Sequence, residues 1–370
     1  KLLMAHADSP RLDLKGNPLY EEENVAFLKT HYYGGIKKYQ WPTIALALHG
    51  VAYLADGREV EIKIGEKESD PIFMITDLAP HLDRPEPFKQ SNNREVKGED
   101  LNLVVGSIPV KDKNVKEKIK LALLEYLYKT YGMKEEDFNS AELSAVPSEK
   151  ARDLGFDRSL ISAYGHDDRS CVFTALESLI AAKTSAETQV CILVDREEIG
   201  SEGNAGARSL FIELFFSRLN ELLGKAGGLE KVYEIFSKSN GLSTDVNIAV
   251  DPDYKEVQDL RNAARIGGGV MIEKYTGHGG KYGTSEASGK LVQKLRQIFS
   301  SDKNIVYQIA GAIGKVDLGG GGTIAKYMAS RGLDMVDVGL PVLNTHAPLE
   351  IASKADLYCA YLAYKAFLEN

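Results

Sequence analysis

Cysteine is scarce in this chain, and the three present, Cys171, Cys191 and Cys359, are far apart. They make neither a CxxC pair nor an even set, which excludes a disulfide scaffold and points to buried thiols in a reducing cytoplasm. No apolar run approaches the length that spans a bilayer, and no basic start leads into an apolar signal segment, so neither a membrane nor a secretory route is expected. Positive charge is not in excess either. The formal net charge of −8 lacks the basic footprint of a nucleic-acid surface. Low-complexity tracts and internal repeats are also missing. No GxGxxG opens a βα unit, and Gly319-Gly320-Gly321-Gly322-Thr323 lacks a Lys-Ser or Lys-Thr at P-loop spacing, which argues against nucleotide binding. Those glycines instead let the backbone pass close to a substrate.

What is present is the composition of a soluble globular protein, 44% hydrophobic and 26% charged, in a chain of 370 residues that is long enough for two cores. The chain opens at Lys1 on Leu2-Leu3-Met4, which reads as a strand already under way, so a preceding segment of the natural protein is expected. Short alternating runs follow, at 43–48, 59–64, 72–75 and 103–105, with a proline-bearing loop over Arg84–Asp100 and a helical pattern from Lys113 to Gly132. From about residue 150 the texture changes. Helical patterns at 170–182, 207–223, 286–299, 323–330 and 352–368 alternate with strand-like runs at 188–194, 246–250, 305–309 and 334–338. That alternation predicts a mixed, mostly parallel sheet covered by helices. The expected architecture is a three-layer α/β domain, residues 1–12 plus 148–370, interrupted by a β-rich domain at 13–147.

Acids and imidazoles cluster at predicted strand ends. His6-Ala7-Asp8 places two polar side chains on one side of an extended chain, so Asp8 is able to support His6. A lone His-x-Asp is more often a polar turn. Asp167 and Asp168 precede a helix, where capping is the commoner explanation for acids. Glu197 and Glu198 follow the apolar run Cys191–Val194 after Asp195-Arg196; adjacent carboxylates there need cations to offset their repulsion, unless they form a solvated loop cluster. Asp245 and His346 complete the set. Taken together, two histidines and three acids suffice for two metal ions when one carboxylate bridges them, leaving one glutamate as a base.

In this order, His6-Ala7-Asp8-Ser9-Pro10, Asp167-Asp168-Arg169, Glu197-Glu198-Ile199-Gly200-Ser201, Thr244-Asp245-Val246 and His346 resemble the M18 metallopeptidases, the family of aminopeptidase I and aspartyl aminopeptidase within the wider M28, M42 and M20 clan. The resemblance extends from His6 to the last helix. It implies a di-metal aminopeptidase that removes single residues from peptides with free N-termini. His6 and Asp245 would hold one ion, Glu198 and His346 the other, and Asp167 would bridge them. Glu197 would be the general base, with Asp8 behind His6. The ions would be zinc, with cobalt or manganese as alternatives. The Asp167–Asp168 peptide would be cis, and His81, in the inserted domain, would reach a neighbouring subunit's site. Self-assembly into dimers and a tetrahedral dodecamer, and the inserted domain's role in dimerisation, are implied in the same way. Three departures bear on side-chain preference and not on the ligands: Ile248 where the aspartyl enzymes carry histidine, Trp41-Pro42-Thr43 in place of an acid-rich stretch, and Ala347-Pro348-Leu349-Glu350 after His346. A related M42 or M20 peptidase or deacylase, and a non-enzymatic scaffold keeping the fold, are the alternatives.

Overall fold

A computed structural model describes residues 1–82 and 95–370, and the part of the expected Arg84–Asp100 loop from 84 to 94 lies outside them. The chain divides into two compact units, Lys1–Ser9 with Ala151–Asn370, and Pro10–Lys150.

The first unit is built on a six-stranded sheet in the order Val190–Val194, Leu2–His6, Asn240–Ser243, Asp334–Gly339, Val270–Glu273 and Tyr307–Ala310. All neighbours in it are parallel except Asp334–Gly339 with Val270–Glu273. Alternate residues of the first strand feed different cores, because successive side chains of a strand leave on opposite faces. Leu3 and Ala5 pack with Cys171, Ala175, Phe299 and Phe367 from the helices His166–Ala181, Gly289–Ser301 and Lys354–Glu369. Leu2 and Met4 pack with Ile212, Phe216, Phe236 and Met328 from Phe211–Leu222, Leu229–Phe236 and Ala325–Ala329. A second sheet runs Asn247–Ile248, Pro341–Leu343, Glu350–Ser353, Leu160–Ala163 and Arg152–Leu154.

The second unit holds a seven-stranded antiparallel sheet, with Arg11–Glu22, Val25–Tyr33, Leu46–Tyr53 and Ala141–Pro147 as its long members. The helix Lys118–Tyr131 lays Leu123, Leu124 and Leu127 against that sheet's core around Trp41, Leu46 and Leu103. It stops at Gly132, whose φ of 71° suits a left-handed C-cap that glycine adopts without a Cβ clash.

Several expectations move. The strand expected at 246–250 shrinks to Asn247–Ile248, while the member of the main sheet is the preceding Asn240–Ser243. Asp245 therefore follows a strand of the main sheet. Asn240-Gly241-Leu242-Ser243 carries little β signal, and the Met335 side chain fills the space beside Gly241, where a Cβ would meet its sulfur at 2.2 Å unless that side chain moved. The helices expected from 113, 207 and 323 begin at 118, 211 and 325. Cys171 and Cys359 are buried, as anticipated, but Cys191 is half-exposed. Two glycines of 319–322 allow close backbone approach: a Cβ on Gly320 would lie 2.6 Å from the Gly277 carbonyl oxygen, and one on Gly319 would lie 2.2 Å from the Ile313 carbonyl oxygen.

One buried ion pair joins the helix Phe211–Leu222 to the turn after Ala325–Ala329. Arg331 Nε donates to Glu213 at 2.6 Å, and its Nη atoms donate to the carbonyls of Ala207, Arg208, Ser209 and Tyr327. Arg331→Met leaves Glu213 charged and buried, so a loss of about 3 kcal/mol is expected in denaturant unfolding, as for other half-broken buried pairs. An unchanged midpoint would contradict it.

Candidate metal centre

Each polar residue reaches the centre because a strand ends just beneath it. His6 is the last residue of the central strand Leu2–His6, in register with Val194, and Glu197 and Glu198 begin a short 3-10 turn three residues past Val194. Asp245 follows Asn240–Ser243 by two residues, and Asp167 sits in the first turn of His166–Ala181 with non-helical φ −80° and ψ 105°. His346 lies on the loop between Pro341–Leu343 and Glu350–Ser353 with φ 67°. The carboxyl ends of the strands therefore form a polar crevice, where open α/β sheets bind ligands. The Asp167–Asp168 peptide is cis.

Asp167 divides its two oxygens between two histidine–acid sets. His6 Nε2 is 3.2 Å from Asp167 Oδ1 and 3.6 Å from Asp245 Oδ1. His346 Nε2 is 3.3 Å from Asp167 Oδ2 and 3.3 Å from Glu198 Oε2. In each set of three residues, one ligand atom apiece lies within 4.8 Å of the others. Asp8 holds the far side of the His6 ring, with Oδ1 3.2 Å and its carbonyl oxygen 3.1 Å from Nδ1. That contact places the proton on Nδ1 and leaves the Nε2 lone pair facing Asp167 and Asp245.

A lone pair facing two carboxylates is repulsive unless a positive charge, a proton on Nε2 or a metal ion, lies between them. Glu198 Oε1 and Asp167 Oδ1 are buried without a hydrogen bond of proper geometry, the latter although His6 Nε2 is close. The electrostatics agree. Burial disfavours an imidazolium at His6, yet Asp245, Asp167 and Asp8 outweigh it and hold the ring well above its ordinary range. Burial first and Asp245 next push Glu197 up to about 8, while burial and Asp167 push Glu198 up to about 9. Asp167 goes the other way: burial opposes its charge, but His346 and His6 pull it below the usual carboxylate range. The donor set of imidazole nitrogens and carboxylate oxygens fits divalent zinc, cobalt or manganese, whose charge would relieve this crowding.

Two links were not legible from the sequence. Asp8 also accepts from the backbone N–H of Glu197 (Oδ1, 3.1 Å) and of Glu198 (Oδ2, 3.1 Å), so it serves more than His6. Glu350, read only as part of a loop motif, is buried; its Oε1 accepts from the N–H of His346 at 2.7 Å and its Oε2 from that of Asp167 at 2.9 Å. Burial and then Asp167 push Glu350 up to about 8, against the lowering pull of those two donors. Asp168 is fully buried and accepts from His6 N–H at 3.2 Å. The only hint of Glu350 was its place four residues after His346. His81 lies in the other unit, exposed on a turn.

Comparison with known proteins gives a consistent family. A family model described as "Aminopeptidase I zinc metalloprotease (M18)" matches residues 1–368. A probable M18 family aminopeptidase 1 from Clostridium acetobutylicum is 46% identical over 370 residues, covering 100% of this chain and 79% of that protein. The crystal structure of an M18 family aminopeptidase from Thermotoga maritima superposes with a TM-score of 0.94 at 46% identity, covering 100% of this chain and 80% of that one. The S. cerevisiae mApe1 dodecamer, at 21% identity and a TM-score of 0.71 over 99% of this chain and 78% of that one, shares the fold. With the full chain matched at this level, it belongs to the M18 family of zinc metalloproteases and is a metalloaminopeptidase.

Proposed function

We propose that this aminopeptidase acts through two divalent ions, bridged by Asp167, with Glu197 as the general base. The observation that carries this reading is the division of Asp167: each oxygen faces a different histidine and a different acid. His6 and Asp245 would hold one ion, and Glu198 and His346 the other, with zinc the first choice. When bound, such a pair lowers the pKa of a shared water and polarises the scissile carbonyl.

The chain's own residues supply the rest. Glu197 accepts the proton of the attacking water and passes it to the leaving amine, which needs a carboxylate held at the centre with a raised affinity for protons. Asp8 serves by fixing the His6 tautomer and by taking the N–H groups of Glu197 and Glu198, so that both carboxylates stay aimed into the crevice. The acids around the centre favour a free, protonated α-amine at the substrate's N-terminus, which limits cleavage to one residue at a time.

We read the first unit as the three-layer catalytic domain, supported by the separate cores that alternate residues of Leu2–His6 feed. The inserted unit would be the dimerisation domain. Its exposed His81 would reach a neighbouring subunit's site and stabilise negative charge on the carbonyl oxygen. Assembly up to a dodecamer, as in the yeast structure, belongs to the same reading.

The test is hydrolysis of aminoacyl-p-nitroanilides and short peptides by the chelated protein, by protein resupplied with zinc, cobalt or manganese, and by His81→Ala. Metal-dependent release from free N-termini, with none from N-acetylated controls, is expected. A His81→Ala rate about 10²-fold lower is expected of a lost donor to the developing oxyanion. Release from blocked substrates would overturn the reading of the α-amine site, and an unaffected His81→Ala would remove that residue from catalysis.

A further inference from the structure

We propose that Glu350 is a positioning residue that sets the spacing of the two metal sites by clamping the backbone of Asp167 to that of His346. The inference rests on the two-ion reading above. Asp167 and His346 come from segments about 180 residues apart in the chain, one at the irregular start of a helix and the other in a loop. Asp167 departs from helical geometry at the start of its helix. His346 sits in a loop where it and Asn344 both have positive φ, 67° and 60°. The N–H of each would be an unpaired donor in a crowded centre if nothing accepted it, a loss that buried backbone groups rarely tolerate.

Glu350 takes both. It is the first residue of Glu350–Ser353, paired antiparallel with Leu160–Ala163 so that Ala163 stands opposite Glu350. The sheet therefore fixes its backbone four residues from Asp167 on one side and four from His346 on the other. Its carboxylate is spent on the two N–H bonds, one oxygen each, with a separate ligand at either end. It mirrors Asp8, which ties Glu197 and Glu198 to the His6 side. Between them, the two acids accept backbone N–H groups from each of the three segments that carry ligands of the second site. Because Glu350 fixes the bridging carboxylate and the one histidine of that site, its loss affects the Glu198–His346 ion more than the His6–Asp245 ion.

Glu350→Gln tests this. The amide replaces one acceptor by an N–H₂ group that faces a backbone N–H, so one clamp bond is lost without a change in size. Metal content per subunit is followed as a chelator is titrated, together with the thermal midpoint of the chelated protein and kcat and KM at saturating zinc. The expected result is two ions in the wild-type protein. In the variant, one ion should leave at about 10–100-fold lower chelator strength, the scale of losses when a ligand's support is removed. The chelated midpoint should change little, and kcat should recover in part with excess zinc. Glu350→Asp keeps both oxygens and the charge, and is expected to fall between the two. It decides the matter if the glutamine variant does not fold. Two ions released from both variants as from wild type would overturn the clamp. A wild-type protein that binds one ion would overturn the two-ion reading itself. A lower chelated midpoint with unchanged metal release would reduce Glu350 to a structural role and overturn the proposal as well.

Discussion

Glu197→Gln is expected to keep two metal ions per subunit while kcat falls by about 10²–10⁴-fold, the usual contribution of a positioned general base. The reasoning is steric and electrostatic at once. Glu197 belongs to neither three-residue ligand set, but it follows directly on the segment that Asp8 fastens through the N–H groups of Glu197 and Glu198. Glutamine preserves that backbone and the side-chain volume but offers no carboxylate to accept a proton. Metal analysis and steady-state kinetics on one preparation separate the two effects. A variant with both ions and near wild-type turnover would show that another group takes the proton. A variant that loses an ion would instead make Glu197 a ligand.

The second large effect concerns Asp167. If two ions share Asp167, Asp167→Asn turns one of the two ligand oxygens into an amide nitrogen without a free lone pair, so one of the two sites loses a donor whichever way the amide turns. The remaining ion would keep the carbonyl oxygen, while the N–H₂ group would face the weakened site. Metal content below two per subunit is expected, with a fall in kcat/KM of about 10³-fold, since an ion that polarises the carbonyl is worth several kcal/mol. Asp245→Asn, whose carboxylate faces His6 and belongs to one site only, is expected to spare the Glu198–His346 ion. If Asp167→Asn kept two ions with wild-type affinity and rate, the bridge would be excluded.

Much of this centre was legible early because its parts are short and local. His6-x-Asp8 places two groups on one side of a strand end, and Glu197-Glu198 shortly after an apolar strand is a pair that either solvent or a cation must offset. Single acids were less legible. Asp167 and Asp168 looked like helix caps, since a first turn attracts acids with or without a ligand. The strand that places Asp245 is not legible in the sequence, because Gly241 and Ser243 weaken its β pattern. Glu350 stands in the sequence only as the end of a loop motif, yet it is buried. Nothing in its immediate neighbours distinguishes a carboxylate that accepts two backbone N–H bonds from one in water.

The sequence by itself determined the order and chemical type of the candidate site residues, the α/β texture after residue 150, and the absence of a membrane-length helix, which holds for the described residues of the structure too. Tertiary structure alone decided which oxygen of Asp167 faces which histidine, that Asp8 reaches the Glu197 and Glu198 N–H groups 189 and 190 residues away, and that Glu350 meets the N–H of Asp167 across 183 residues. The reason is physical. Hydrophobic periodicity records which face of a helix or strand is buried over a few residues, whereas a metal centre is set by contacts between strand ends that only sheet order and register bring together.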